Sequence, residues 1–497
     1  MNINPITRLD YPDIDVIRVD NTYYMLSTTM YFFPGCEILK SYDLINWEHA
    51  SFVFDTLDGT PGQRLDDGKG IYGQGMWAAT FRQYRGTFYI AFVCNDTHRT
   101  YLYRSESITG PWRKSYINGF YHDLSLLFDD DRVYAVYGNR EIHLTELDEN
   151  LTGPKEGGID KIIVRDSDAT PLGYEGSHIY KINGKYYIFF IHSLESKWMR
   201  VQSCYISDYI DGPYVGGDIF ENDINYHNSG VAQGGIVDTP DGKWYAILFQ
   251  DRGAVGRIPV LVPVSFRNSL PVFCTDSEEL QNPQTISLRP GHIYSPLAGS
   301  DDFSTSDGPS YGLRSIWQFN HEPDLNLTKI DTLKSAWTVS TDIVVDSILS
   351  AKNTITQRLY YPHCHVQVTV DATNINNGDY AGLAVLQAAY DFVAITKEND
   401  TYYLVRMERI SNSNSVTEYD YETSITDKIM IDNPVQTIYF DADFEDMKDE
   451  VTFSIGGAHK MHFKLDHFTG NRAALFIYST EKTGGSASFS DFVLIDV

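Results

Sequence analysis

The sequence predicts an all-β protein: a five-bladed β-propeller over residues 1–295, followed by a β-sandwich over residues 302–497. Three observations carry that prediction. Short apolar or aromatic runs are punctuated by Gly, Asn and Asp turns, and long helical periodicity is nearly absent. A turn followed by aromatic residues recurs five times in the first half of the chain. Then a small, polar, Pro/Gly-rich stretch, residues 290–310, reads as a linker into a second domain.

The repeated turns are Asp20-Asn-Thr-Tyr-Tyr24, Arg85-Gly-Thr-Phe-Tyr89, Asp131-Arg-Val-Tyr134, Asn183-Gly-Lys-Tyr-Tyr187 and Asp241-Gly-Lys-Trp-Tyr245. Each lies between two extended runs, as in a hairpin with a tight turn. Several are followed by a strand and a second polar turn: Ser41–Trp47, Ser105–Trp112, Asp148–Pro154 and Ser207–Tyr214. Two hairpins make a four-stranded blade, and five blades make a propeller. A lone sandwich has no reason to repeat a turn five times.

Counting back 11 or 12 residues from each aromatic turn reaches Asp13, Trp77, Asp123, Glu175 and Gln233. The innermost strand of a propeller blade starts near the central channel, so these five side chains should converge on one axial pocket. Three are acids, one is an indole and one is an amide. Any single Asp usually sits in a surface loop, but three acids at equivalent positions argue for a shared site.

The formal net charge of −28 repels phosphate backbones and anionic membranes, which argues against a nucleic-acid or membrane partner. A neutral glycan would be indifferent to that field. The chain has 35 Tyr, 26 Phe and 7 Trp, enough aromatic faces to stack on sugar rings, although β-rich chains are aromatic-rich in any case. Cys36, Cys94, Cys204, Cys274 and Cys364 are scattered, with neither a disulfide framework nor metal-ligand spacing. The first residues carry no basic or apolar leader pattern, and the expected location is cytoplasmic. Oligomeric state is left open.

Three acids around one pocket suit the cleavage of a glycosidic bond. One carboxylic acid protonates the leaving oxygen, and a carboxylate activates water or attacks directly. A third carboxylate nearby raises the pKa of the acid, because like charges resist ionising together. Trp77 would then form a sugar-stacking wall.

The surrounding segments resemble glycoside hydrolase family 43. The resemblance rests on Asn4–Arg18, Tyr23–Gly35, Ile38–Trp47, His122–Asp131, Glu175-Gly-Ser-His-Ile-Tyr-Lys181 and Gly256-Arg257. It implies Asp13 as general base, Asp123 as pKa modulator and Glu175 as general acid. It further implies that Trp77 and Phe32 line the pocket for the terminal sugar and that Arg257 contacts substrate. No cofactor is implied for the chemistry, but a calcium ion at the propeller axis is a candidate. Gln233 stands where many members carry an axial His, and Gln can ligate a hard cation through its carbonyl. His227 is a second candidate ligand.

This chain departs from the family pattern at four prolines. Ile14 follows Asp13, and the other segments read Trp77-Ala-Ala79, Asp123-Leu-Ser125 and Glu175-Gly-Ser177.

Residues 302–497 show alternating strands such as His365–Asp371 and Ala473–Tyr478, as in an antiparallel sandwich. Trp317–Asp324, Asn353–Arg358 and Gly378–Leu383 resemble the jelly-roll, concanavalin-like sandwich appended to one branch of the family. Asp301, Asp302 and Asp491 read as an ordinary acidic strand end in preference to a calcium site. The branch implies an inverting, exo-acting pentosidase on arabinoxylan or xylo-oligosaccharide fragments, with α-L-arabinofuranose slightly favoured over β-D-xylose. Two other readings stand beside it. A fructan or sucrose hydrolase pairs the same fold types, but its Asn-Asp-Pro-Asn, Arg-Asp-Pro and Glu-Cys signatures are missing here. A carbohydrate-binding propeller with a dead site is motivated by the missing prolines.

Overall fold

The computed structural model describes residues 2–166 and 169–497. Five four-stranded antiparallel sheets follow one another along the first half of the chain, each in simple sequence order. Their innermost strands are Asp15–Val19, Met76–Tyr84, Ser125–Asp129, Glu175–Ile182 and Ala232–Asp238. Successive innermost strands pack side by side and the first meets the last, closing a five-bladed ring. The repeated turns are the hairpins between first and second strands. Four are two-residue loops, with left-handed backbone at Asp20, Arg85, Asp130 and Asn183. Positive φ at such loops matches the twist of the flanking strands. The second set of turns joins third and fourth strands.

No strand exchange seals the ring. The N-terminal arm is pinned to the last blade instead. Asn4 donates through Nδ2 to the carbonyls of Leu261 (2.7 Å) and Leu280 (2.6 Å) and accepts from the Leu261 amide (2.9 Å). Arg18 donates to the Asp238 carboxylate across the seam.

The second half is a two-sheet antiparallel sandwich of eight and seven strands. Its eight-stranded sheet begins outside the second half. Phe32–Phe33, in the first propeller sheet's connection, pairs with Gln318–Asn320 and forms the edge of the sandwich sheet. The two halves therefore share a sheet. The Pro/Gly-rich stretch is also packed and not a free tether. The Leu288 amide donates to the Tyr42 carbonyl, and Ser295 and His292 both bond the Glu48 carboxylate. Asp301 accepts from Trp317 Nε1 (2.8 Å) and the Phe303 amide (2.9 Å), so its oxygens serve a buried indole. All five cysteines are free thiols.

A buried ion pair clamps the halves. Arg358 of the sandwich reaches Glu37 of blade one at 2.7 Å, donates to the Asp10 carbonyl at 2.7 Å and lies over the Tyr11 ring at 3.9 Å. Both charges are buried, at 6% and 2% side-chain exposure. Removing one partner strands the other in low dielectric. Glu37→Ala should cost about 3–5 kcal/mol, read as a fall in the thermal unfolding midpoint. The double replacement Glu37→Leu with Arg358→Met should recover part of it, because no lone charge remains.

Candidate active site

The strand starts are irregular, and that irregularity aims the side chains. Asp13, Asp123 and Gln233 take left-handed backbone (φ 52°, 49° and 58°), and so does Gly176 beside Glu175 (φ 62°). Ladder registers break between Met76 and Ala79, Glu175 and His178, and Ala232 and Gly234. Such bulges turn a side chain out of the sheet plane. Gly176 is also required by space, since a Cβ there would stand 2.7 Å from the Gln233 side chain.

Asp123 and Glu175 form one acidic group with His122 between them. Their ligand-type atoms all lie within 4.8 Å of one another. His122 Nε2 is 3.7 Å from Asp123 and 3.8 Å from Glu175. Asn139 Nδ2 donates to Glu175 at 2.6 Å, and the Gly176 amide donates to Asp123 at 3.1 Å. Burial pushes the Asp123 carboxyl up to about 6, with Glu175 and Asp13 adding repulsion and His122 opposing. His122 is pushed up to about 9, chiefly by the Asp123 charge, with Glu175 and Asp13 contributing.

Asp13 stands outside that cluster. Its Oδ1 accepts from Arg257 Nη1 at 2.7 Å. Arg257 is 1% exposed, donates to the Phe468 carbonyl (3.2 Å) and lies 4.4 Å over the Phe468 ring. The Arg257 guanidinium thus fixes Asp13, while its Nε has no hydrogen-bond partner. Asp10 secures the same corner by accepting from the Arg257 amide (2.7 Å) and, across the domain boundary, from the Gly470 amide (2.8 Å).

Trp77 is half-buried, with its ring 5.8 Å from His122 and 5.7 Å from Phe468. Phe32 is packed with Met30, Tyr31 and Ile71, and Trp77 and Phe468 lean on that cluster. The Arg472 guanidinium lies 3.5 Å from the Phe32 ring centroid, so Phe32 is floor and not an open stacking face. Beyond Glu175 a chamber of about 340 Å³ opens between the domains.

The axial channel below carries its own cation. Arg82 bonds Asp15 Oδ2 (2.6 Å), Ser125 Oγ (2.7 Å) and the Leu126 carbonyl (2.8 Å), under the Tyr180 ring. The candidate calcium ligands are not brought together. Gln233 packs on Gly176 and its amide N–H bonds Gln202, whereas His227 sits at the chamber rim, 3.6 Å from Asp446. Among the described residues, His227 belongs to no group of His, Cys, Asp and Glu close enough together to share an ion, whereas His122, Asp123 and Glu175 form one. A second acidic group, Asp391, Glu408 and His459 in the sandwich, is already filled by the bidentate Arg406.

Sequence reasoning missed four participants. His122 adjoins Asp123 in the chain, and that adjacency was the available signal. Asn139, Asp10 and Phe468 had none, because their partners lie far along the sequence.

The site thus offers a carboxyl pair able to hold a proton, a separate carboxylate fixed by arginine, and an aromatic wall. Residues 3–271 match the family model described as "Glycosyl hydrolases family 43", and residues 300–494 match "Beta xylosidase C-terminal Concanavalin A-like domain". A curated "Beta-xylosidase" of Formosa agariphila is 28% identical over 362 residues, 65% of this chain and 58% of that relative. A solved "Bifunctional GH43-CE" of Bacteroides eggerthii superposes with a TM-score of 0.90 at 35% identity, over 99% of this chain and 63% of that one. A GH43 enzyme engineered for both endo-xylanase and exo-arabinofuranosidase activity superposes at 0.85 with 25% identity, over 100% of both chains. The chain therefore spans about six-tenths of the first two relatives and the whole of the third. The chain belongs to glycosyl hydrolases family 43.

Proposed function

We propose that the protein is an inverting, exo-acting pentosidase that releases a terminal pentose from arabinoxylan-derived or xylo-oligosaccharides. The carrying observation is the separation of roles: Asp123 and Glu175 share one cluster with His122, while Asp13 is held apart by Arg257. An inverting enzyme needs its acid and base apart, by roughly 6.5–9.5 Å, to seat a water.

In this reading Glu175 protonates the glycosidic oxygen. It is the most open of the three acids, with 20% side-chain exposure against 6% for Asp123 and 8% for Asp13. Asn139 orients it. Asp13 takes the proton of the attacking water on the opposite face of the sugar. Arg257 keeps Asp13 directed. Asp123 keeps a proton available to Glu175, since two carboxylates this close resist ionising together. Trp77 stacks on the sugar. Both proton transfers are assigned to side chains, and no step is assigned to a metal. Phe468, lying over Arg257 and facing Trp77, closes one end of the pocket, which supports action on chain ends. The free thiols support a reducing, cytoplasmic location.

The sequence leans to α-L-arabinofuranose. The β-xylosidase name of the Formosa relative supports β-D-xylose beside it. Assays of the nitrophenyl α-L-arabinofuranoside and β-D-xyloside decide between them. Release from neither, in a protein that binds pentose, would replace the enzyme reading with a carbohydrate-binding one.

The rate should fall at high pH as the Asp123–Glu175 pair, whose Asp123 carboxyl burial raises to about 6, loses its last proton. His122 stays cationic up to about pH 9. A cation favours ionised carboxylates, so it helps the pair lose its proton. His122→Asn should therefore move the alkaline limb to higher pH, as read from kcat/KM against pH.

A further inference from the structure

The chamber beyond Glu175 has a composition that the release of a pentose does not require. Given Glu175 as the acid, whatever fills this space is the leaving group, because the proton goes to the leaving oxygen. Propeller residues Leu172 and Trp198 form one wall, and sandwich residues Val416, Met447, Phe463 and Leu465 form the other. Trp198 is 51% exposed, and Val416 is 39% exposed.

The polar side chains that line the chamber lie along one side of it and bond partly to one another. Arg200 donates to the Asp251 carboxylate at 2.7 Å, and Ser229 Oγ donates to the Asp251 carbonyl at 2.6 Å. Asn228 Oδ1 accepts from Lys197 at 3.2 Å, and His227 faces Asp446. A bare sugar presents a rim of hydroxyls that the indole and the aliphatic wall cannot bond. An aromatic ring loses nothing polar and gains contact with the indole and the aliphatic wall.

The sandwich wall is also built in advance. The Lys464 ammonium, fully buried, donates to the carbonyls of Ser413 (2.6 Å), Ser415 (2.7 Å) and Glu418 (3.2 Å). The Leu465 amide donates to the Val416 carbonyl at 3.0 Å. Those bonds lock the loop bearing Val416 to the segment bearing Phe463 and Leu465, so little ordering cost falls on the ligand.

We propose that this chamber is a leaving-group subsite for glycosides whose aglycone sugar carries an aromatic acyl ester. The proposal rests on the hydrolase reading above, and the tests separate the two. The first measures kcat/KM for two disaccharides with the same terminal pentose, one with a bare xylose aglycone and one with that xylose benzoylated. The acylated substrate should be preferred about tenfold. Trp198→Ala and Val416→Ser, both exposed positions, should each reduce the preference severalfold, because kcat/KM falls further on the acylated disaccharide than on the bare one. The second titrates both disaccharides into the Glu175→Gln variant by calorimetry, which needs no turnover. Tighter binding of the acylated ligand by about tenfold supports the subsite even if the wild type hydrolyses neither, a result that would fail only the hydrolase reading. Equal affinity and equal kcat/KM for the two ligands, or a preference untouched in both variants, would overturn the proposal.

Discussion

Glu175→Gln should lose about 10²–10⁴-fold in kcat on a disaccharide, the range general acid catalysis supplies. The amide is nearly isosteric and its carbonyl can still accept from Asn139 Nδ2, so the fold and the pocket are retained. Only the transferable proton is gone. The loss should depend on the leaving group. A sugar alkoxide departs badly without protonation, whereas a nitrophenolate departs well unaided, so nitrophenyl glycosides should lose far less than disaccharides. Steady-state rates on both substrates, with circular dichroism as a check on folding, test this. Equal losses on the two would remove Glu175 from the role of acid.

Asp13→Asn should also lose about 10²–10⁴-fold, with the opposite dependence. Activating water does not depend on the leaving group, so nitrophenyl glycosides and disaccharides should lose alike. Arg257 can still donate to the carbonyl oxygen of the substituted amide, which keeps the corner intact. A second variant sharpens the result. Asp13 has φ 52°, a conformation glycine adopts freely, so Asp13→Gly carries no backbone strain. It also opens room for azide, a nucleophile that needs no base. Azide should restore turnover in Asp13→Gly and leave Glu175→Gln on disaccharides unaided.

The propeller and its acids were legible because the information is local and repeated. Each blade is a run of hairpins whose tight turns carry Asn, Asp or Gly, and an offset of 11 or 12 residues from those turns reached the region of all five strand starts. The same offset arithmetic could not see what the ring carries beneath them. Arg82 fills the channel by bonding Asp15, Ser125 and Leu126 from neighbouring blades. Nothing in its own neighbourhood marks it.

The domain division was legible only in outline. Phe32–Phe33 reads as part of blade one, but its backbone completes the edge of the sandwich sheet, and that choice depends on a partner strand far along the chain, at Gln318–Asn320. Arg257 shows the same limit at the level of a side chain. Its place after the last aromatic turn was visible, but its engagement with Asp13 and with the Phe468 carbonyl spans 244 and 211 residues. Pairings of that length are set by how the two halves pack, through Asp10, Glu37 and Arg358. Single-sequence patterns carry no record of them. His122 is the instructive middle case. Its position beside Asp123 was on view, but its effect depends on Glu175 approaching the same Nε2 from the next blade, which only the closed propeller supplies.

The central claim is that Asp13 and Glu175 work from opposite faces of the sugar with a water between Asp13 and the anomeric carbon. Proton NMR of the first-formed product measures it most directly. A pentoside in one anomeric configuration is mixed with enzyme, and the anomeric signals are followed before mutarotation equalises them. The account predicts that the opposite anomer appears first. First appearance of the retained anomer would contradict it, since retention requires a carboxylate to attack the sugar directly.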